Sequence, residues 1–312
     1  MNASKTYVQA DNALLSPSWY EASARQRVEG LLDAGSFEEF IGPAARETSP
    51  HLPLFDLPQQ FDDGMIVGRG RLDGNTVFIA AQEGRFMGGS FGEVHGAKLT
   101  GLLRAARDIA SVPVLVLFDT GGVRLQEANA GELAIAEIMR AVIEARLAGV
   151  PVIGLIGGRA GCYGGGGLIA ACCSALAVSE QGRISVSGPE VIETNRGVEE
   201  FDSKDRALVW RTMGGKHRCL IGGADRFADD SLASFRIAAS ALLPHVPAMQ
   251  LKTLVAEQQR LEQRLQRFGS SEDAVDIWRS LGVSEPASVP GMAYDDFVEL
   301  VASLKEPHHD AR

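Results

Sequence analysis

Two segments of this 312-residue chain share one grammar: an apolar strand that ends in glycines and feeds a helix. The first runs Val114–Phe118, then Asp119-Thr120-Gly121-Gly122, then Val123 to Glu127. The second runs Val152–Ile156, then Gly157 to Gly161, then Cys162-Tyr163 and the glycines 164–167. A helix start leaves backbone N–H groups unpaired, and the helix dipole favours negative charge there. Two such turns on neighbouring strands would aim donors at one developing oxyanion. Glycine also serves tight turns and close packing without any donor role, so it is the repetition that favours the chemical reading. Buried strands alternating with helices predict an α/β domain with mostly parallel pairing.

The flanking text fixes the organisation. Ser18 and Glu21 have capping-box spacing, which predicts a helix to about Ala34 with Gly35 as its stop. Pro43, Pro50, Pro53 and Pro58 predict an extended connector over 42–62. Residues 65–72 and 76–81, joined by Asp73-Gly74-Asn75, read as a β-hairpin. Helices are expected over 92–110, 124–147, 164–175 and 231–243, with short strands at 176–179, 183–186, 219–221 and 227–228. Over 249–268, Leu251, Leu254, Val255, Leu261, Leu265 and Phe268 form one apolar stripe. Such a stripe usually closes a core, with a partner subunit as the alternative. Two short helices follow, over 274–281 and 294–304. Three parts result: 1–60, a helix and connector; 61–245, the α/β domain; 246–312, a helical extension ending in a polar tail with His308-His309.

Composition excludes several classes. A formal net charge of −10 argues against a general nucleic-acid binder, which needs a basic face. No apolar run reaches membrane-spanning length, and the first eleven residues lack the apolar core of a secretory signal, so a cytoplasmic location is expected. Cys162, Cys172, Cys173 and Cys219 form no CxxC pair, and the six histidines form no HExxH or HxxxH pair. No metal site is expected.

Longer motifs make the chain recognisable. Met87-Gly88-Gly89-Ser90-Phe91-Gly92-Glu93-Val94-His95-Gly96 resembles a segment of the acyl-CoA carboxyltransferases, and Gly121-Gly122-Val123-Arg124-Leu125-Gln126-Glu127 resembles one in the acetyl-CoA carboxylase β subunit. Phe118 to Asn129 is more closely similar to the β subunits of malonate decarboxylases, as are 187–193 and 199–206. No cysteine precedes Cys162, so the N-terminal zinc ribbon usual in the bacterial carboxylase β subunit is missing. The resemblance covers about 20–245 and implies a crotonase (ClpP)-like α/β spiral of β-β-α units with flanking helices. It also implies a heteromeric enzyme. There an α subunit loads malonate onto an acyl carrier protein through a phosphoribosyl-dephospho-CoA thiol, and β and γ subunits decarboxylate the malonyl thioester. This chain itself would bind no cofactor, and biotin would belong to a membrane-linked variant of the system.

Such a reaction puts negative charge on the thioester oxygen. Gly121, Gly122, Gly164 and Gly165 are the expected backbone donors. Tyr163, His95 and Glu93 are candidate proton donors, with water as the alternative. Gly88, Gly89, Ser90, Arg124 and Gln126 are candidates for contacting substrate or carrier, Arg124 being equally readable as a structural ion-pairing residue. Cys162 lacks a base and reads as a small core residue. Ser90 lacks the Gly-x-Ser-x-Gly elbow of a hydrolase. Two rivals remain: a biotin-linked carboxyltransferase subunit, and a scaffold whose partner carries the chemistry. A crotonase-type hydratase would need a glutamate pair that the sequence does not place.

Overall fold

The computed structural model describes residues 16–246 and 248–304, so the His308-His309 tail lies outside the described residues. The strands are β1 (Glu38–Phe40), β2 (Met65–Leu72), β3 (Asn75–Gln82), β4 (Val114–Phe118) and β5 (Val152–Ile156), followed by β6 (Cys162–Tyr163), β7 (Ala175–Ser179), β8 (Ile184–Ser185) and β9 (Arg226–Ala228). Seven of them make one sheet in the order β1-β2-β3-β4-β5-β7-β9, while β6 and β8 pair with each other. The hairpin is antiparallel; from β3 onward every pairing in the large sheet is parallel.

The helices are α1 (Ala24–Leu31), α2 (Glu93–Ile109), α3 (Asn129–Leu147), α4 (Gly165–Cys172), α5 (Pro189–Arg196) and α6 (Arg206–Met213), then α7 (Gly215–Leu220), α8 (Leu232–Leu242), α9 (Leu251–Phe268), α10 (Ala274–Ser280) and α11 (Tyr294–Leu304). They cover both faces of the sheet, as parallel crossovers require. The period of two then sorts the strand residues. Val114, Val116 and Phe118 join the core under α2 and α3 with Leu99 and Ile138. Leu115 and Leu117 join the opposite core with Val28 and Leu31 of α1 and Phe235 of α8. The N-terminal helix is thereby part of the same packing as the central strands. Asp73 and Gly74 both take positive φ, 50° and 82°, in a two-residue hairpin turn, one residue shorter than the Asp73-Gly74-Asn75 connection expected, because Asn75 already pairs with Leu72.

Several expectations change. The capping box is Ser23 with Gln26, so the first helix starts at Ala24 rather than beside Ser18. The helix expected from 124 begins at Asn129, after a 3-10 turn over Leu125–Glu127 and a break at Ala128, where φ is 48°. Residues 219–221 are not a strand, because Cys219 and Leu220 end α7. Helices α5 and α6, which the sequence does not announce, flank residues 197–205, and Phe201, Val209 and Met213 cluster there with Tyr163. The apolar stripe of α9 does not close the core. Leu251 is 78% exposed and Leu265 is 72% exposed. Arg260 on the polar side of the helix instead reaches the Gly222 carbonyl.

Phe235 is wholly buried and stacks on Trp19 with ring centroids 4.0 Å apart. Phe235→Ala should lower the stability by about 3–5 kcal/mol, the usual cost of deleting a core aromatic. Denaturant midpoints at unchanged m-value check this.

Candidate active site

The loops after β3, β4 and β5 leave adjacent parallel or hairpin strands at the same edge, and there the two glycine turns meet. A Cβ built on Gly122 would stand 3.4 Å from the Cα of Gly164, and one on Gly164 would stand 3.2 Å from the Cα of Gly122. Both glycines take positive φ, 122° and 57°, so a side chain would be strained at either position and crowded at Gly164. A two-bond staple joins the turns. The Thr120 N–H donates to the Gly161 carbonyl at 2.8 Å, and the Tyr163 N–H donates to the Thr120 carbonyl at 3.0 Å. The loop carrying Gly88, Gly89 and Ser90 completes the edge. Its Gly88 carbonyl accepts from the Gly121 N–H at 2.8 Å, and Phe91 donates to the Gly122 carbonyl at 2.8 Å.

These bonds correct the donor assignment. The Gly121 N–H is committed to Gly88, and the Gly122 N–H is committed to the Thr120 hydroxyl at 3.0 Å. Because the first turn opens into a 3-10 turn, its unpaired donor lies one residue later. Among the described residues, the half-buried Val123 and Gly165 N–H groups make no hydrogen bond within the chain. Gly165 is the first residue of α4, where an unpaired donor is expected. Gly164 is the flanking residue that brings this helix start against Gly122.

Arg124 does not face a substrate. Its side chain is 0% exposed, and both terminal nitrogens are bound within the fold, while the buried Nε has no hydrogen-bond partner. Nη1 donates to both carboxylate oxygens of Asp63 at 3.0 and 2.9 Å and to Glu127 Oε1 at 2.8 Å. Nη2 reaches the Asp63 and Ser90 carbonyls. Burial pushes the Asp63 carboxyl up in spite of Arg124. Burial also opposes ionisation of Glu127, but bonds from Ser49, the Glu93 N–H and Arg124 outweigh it and hold Glu127 below its ordinary value.

The proton-donor candidates separate. His95 is fully buried; its Nδ1 contacts the Asp63 carbonyl at 3.0 Å and its Nε2 contacts Gln82 Nε2 at 3.2 Å. A carbonyl only accepts, so Nδ1 carries the proton and Nε2 accepts from Gln82. Neither ring position is left for a substrate. The Tyr163 hydroxyl is buried without a hydrogen-bond partner, and burial pushes its pKa up. Its ring packs under α5 and α6 against Phe201 and Met213. Glu93, first residue of α2, is exposed and meets His51 Nε2 at 2.6 Å. Gln126 is exposed, and the Ser90 hydroxyl donates to the Met87 carbonyl at 2.7 Å. The Cys162 thiol is buried, with its pKa pushed well above the ordinary value. Sequence reasoning missed His51, Asp63 and Gln82, whose partners lie 13 to 61 positions away and leave no local signal, and Glu127, which meets Arg124 three residues earlier in a turn that the sequence reads as helix. Among the described residues no group of three His, Cys, Asp or Glu side chains is arranged to hold a metal ion.

Parallel strands that end in glycine turns and feed helices describe a crotonase-like α/β framework. Comparison with known proteins agrees: residues 21–251 match the carboxyl transferase domain, and the chain belongs to that family. Within it the chain falls in the malonate-decarboxylase branch. It is 40% identical over 309 residues to the malonyl-S-ACP:biotin-protein carboxyltransferase of Malonomonas rubra, covering 92% of this chain and 96% of that protein. A subunit of the Pseudomonas malonate decarboxylase hetero-tetramer, solved with malonate, is 40% identical with a TM-score of 0.78, covering 87% of this chain and 99% of that one. The transcarboxylase 12S structure is 27% identical with a TM-score of 0.62, covering 72% of this chain and 41% of that one. The crotonase-like fold expected from the sequence is therefore present. No helix among the described residues is long and apolar enough to cross a membrane.

Burial pushes the pKa of His95 to about 3, with Arg124 and Lys98 adding to the effect, and that of His217 also to about 3. The unfolded chain binds both protons below about pH 6.5, and the native chain binds them only near pH 3. Their contribution to stability is complete above pH 6.5 and is lost as pH falls from 6.5 toward 3. In His217→Gln, whose amide oxygen can accept from the Trp278 indole as Nδ1 does at 3.2 Å, the slope of unfolding free energy in that window should fall by about one proton. Denaturant titrations at pH 4.5, 5.5 and 6.5 measure it.

Proposed function

We propose that this chain is the β subunit of a malonate decarboxylase and decarboxylates a malonyl thioester carried on an acyl carrier protein. The observation that carries this reading is the contact of Gly122 with Gly164, which sets two turns side by side with the Val123 and Gly165 N–H groups unpaired. The C–C bond electrons of the malonyl group move into the thioester carbonyl as CO2 departs. The resulting enolate oxygen is the charge those two donors stabilise. A proton from water then gives the acetyl thioester, since His95 has no ring position to offer. The glycine floor, where added side chains would collide, suits a thin thioester arm. The phosphoribosyl-dephospho-CoA thiol of the carrier would supply that thioester, an α subunit would load it, and this chain would work in the cytoplasm with no cofactor of its own.

A γ-type partner completes the site. Leu125 follows the first turn and is 77% exposed, Leu133 of α3 is 65% exposed, and Leu168 of α4 is 41% exposed. Large apolar side chains around a catalytic edge suit a protein partner that excludes water and strengthens the oxyanion contacts. The outward stripe of α9 and the region 182–206, where Val186 and Val191 are exposed, are further surfaces such a partner could cover. The related Pseudomonas structures are of a hetero-tetramer and a hetero-dimer, which fits. The second reading, carboxyl transfer to a biotinyl protein, is favoured by the name of the Malonomonas relative.

Two experiments decide. Purified with its partner, the complex should release CO2 from malonyl-carrier while the chain alone does not, and avidin should leave turnover unchanged. Inhibition by avidin would establish the biotin-linked reading instead. Gly165→Pro deletes a donor at a helix position that tolerates proline. A Cβ there would lie 2.1 Å from Ile135 Cδ1, so it is made in an Ile135→Ala background. Relative to Ile135→Ala alone, turnover should fall roughly 100- to 1000-fold. A folded double variant with near-normal turnover would remove Gly165 from the oxyanion site.

A further inference from the structure

Behind the glycine turns lies a buried ion pair that the chemistry above does not use. Arg27 of α1 is 1% exposed and Asp119, at the end of β4, is 3% exposed. Arg27 Nη1 donates to Asp119 Oδ2 at 2.8 Å, Nε donates to the Trp19 carbonyl at 2.9 Å, and Nη2 reaches the Tyr20 carbonyl at 3.4 Å. The other carboxylate oxygen, Oδ1, accepts from the Ala160 N–H in the second glycine turn at 2.6 Å. The Asp119 N–H donates to Gln82 Oε1, whose amide nitrogen in turn donates to the Gly89 carbonyl.

Asp119 thus touches all three loops of the site. The packing shows how tightly. A Cβ on Gly84 would lie 2.5 Å from the Asp119 carboxylate, and one on Gly158 would lie 2.2 Å from it. A Cβ on Gly89 would lie 1.7 Å from the Asp119 carbonyl oxygen. Glycines on both neighbouring loops close around one carboxylate, and an arginine from the N-terminal helix neutralises it from behind. The residue after Asp119 is Thr120, which makes both bonds of the staple between the turns.

We propose that Arg27 and Asp119 are positioning residues for the thioester reaction: together they set the spacing of the two glycine turns, so the N-terminal helix is a working part of the active site. This rests on the function proposed above. The pair touches no substrate. Its loss should let the Gly157–Gly161 turn shift against Gly121-Gly122, and a misplacement of about 1 Å at reacting groups costs on the order of 100-fold in rate.

The test compares Asp119→Asn and Arg27→Met with Val28→Ala in the assembled complex. Val28 is buried on the same helix and contacts neither glycine turn by hydrogen bond, so its variant matches the loss of stability without touching the pair. At a temperature where all remain folded, Asp119→Asn and Arg27→Met should lower kcat on malonyl-carrier roughly 30- to 100-fold. KM should stay within threefold, and Val28→Ala should keep wild-type kcat. Amide hydrogen exchange, which needs no turnover, should quicken at 120–124 and 158–165 in the two pair variants and not in Val28→Ala. Equal kcat in wild type and pair variants, a change in KM alone, or equal quickening in Val28→Ala would overturn the proposal. Absence of decarboxylation by the wild-type complex would overturn the proposed function, and exchange would still decide the positioning role.

Discussion

Everything at the site depends on two backbone bonds, from Thr120 to Gly161 and from Tyr163 to Thr120. They extend the parallel pairing of β4 and β5 past the ends of those strands, so the turns leave the sheet already joined. A pair of loops held by side chains alone would carry the rotamer freedom of those side chains. Backbone bonds between residues next to the donors fix donor positions with far less freedom to lose. This explains why the glycines are where they are. A Cβ at Gly166 would meet the Thr120 methyl at 2.4 Å and push the turns apart, one at Gly164 would crowd the Gly122 Cα at 3.2 Å, and at Gly122 the positive φ rather than lack of space requires glycine.

The staple needs a rigid backing, and the backing is ionic. On one side Arg124 binds Asp63 and Glu127 without any exposure to solvent; on the other Arg27 binds Asp119. Buried pairs add little net stability over apolar packing, but breaking one by removing a partner costs about 3–5 kcal/mol. Their effect is therefore to penalise alternative arrangements of the loops more than to strengthen the fold. Both pairs link segments distant in sequence to the same short edge, across 61 and 92 positions.

That distribution decides what the sequence could reveal. The parallel strands were legible because β4 and β5 are buried on both faces and read as unbroken apolar runs. The hairpin was legible from Asp73-Gly74. The site was legible as far as its glycines, since close backbone approach leaves a mark at the residue itself. The N–H groups expected to be unpaired in the first turn, those of Gly121 and Gly122, are already bound, and the helix expected there is broken at Ala128 by a positive φ that alanine does not advertise. The side-chain network was not legible: nothing near Asp63 in sequence announces Arg124. Helix α9 was read correctly as an element and wrongly in its packing. Periodicity reports that a face is apolar, and it does not report whether that face turns inward.

Under the proposed function, the buried arginine bears on how CO2 would leave. An arginine clamped by two carboxylates offers no unpaired charge to a third, so Arg124 cannot hold the malonyl carboxylate in the ground state. A carboxylate gripped by such a fork would be stabilised before the reaction and lose that stabilisation as it turns into neutral CO2, which raises the barrier. In the proposed reaction charge would move instead from the carboxylate toward the thioester oxygen, and an efficient site stabilises where the charge goes. Here the cation is spent within the fold to hold the loops, while the neutral N–H groups of Val123 and Gly165 are left without a partner in the chain. Dipolar donors stabilise the developing oxyanion without anchoring the departing group, so the separation of the two tasks between side chains and backbone follows from the chemistry itself.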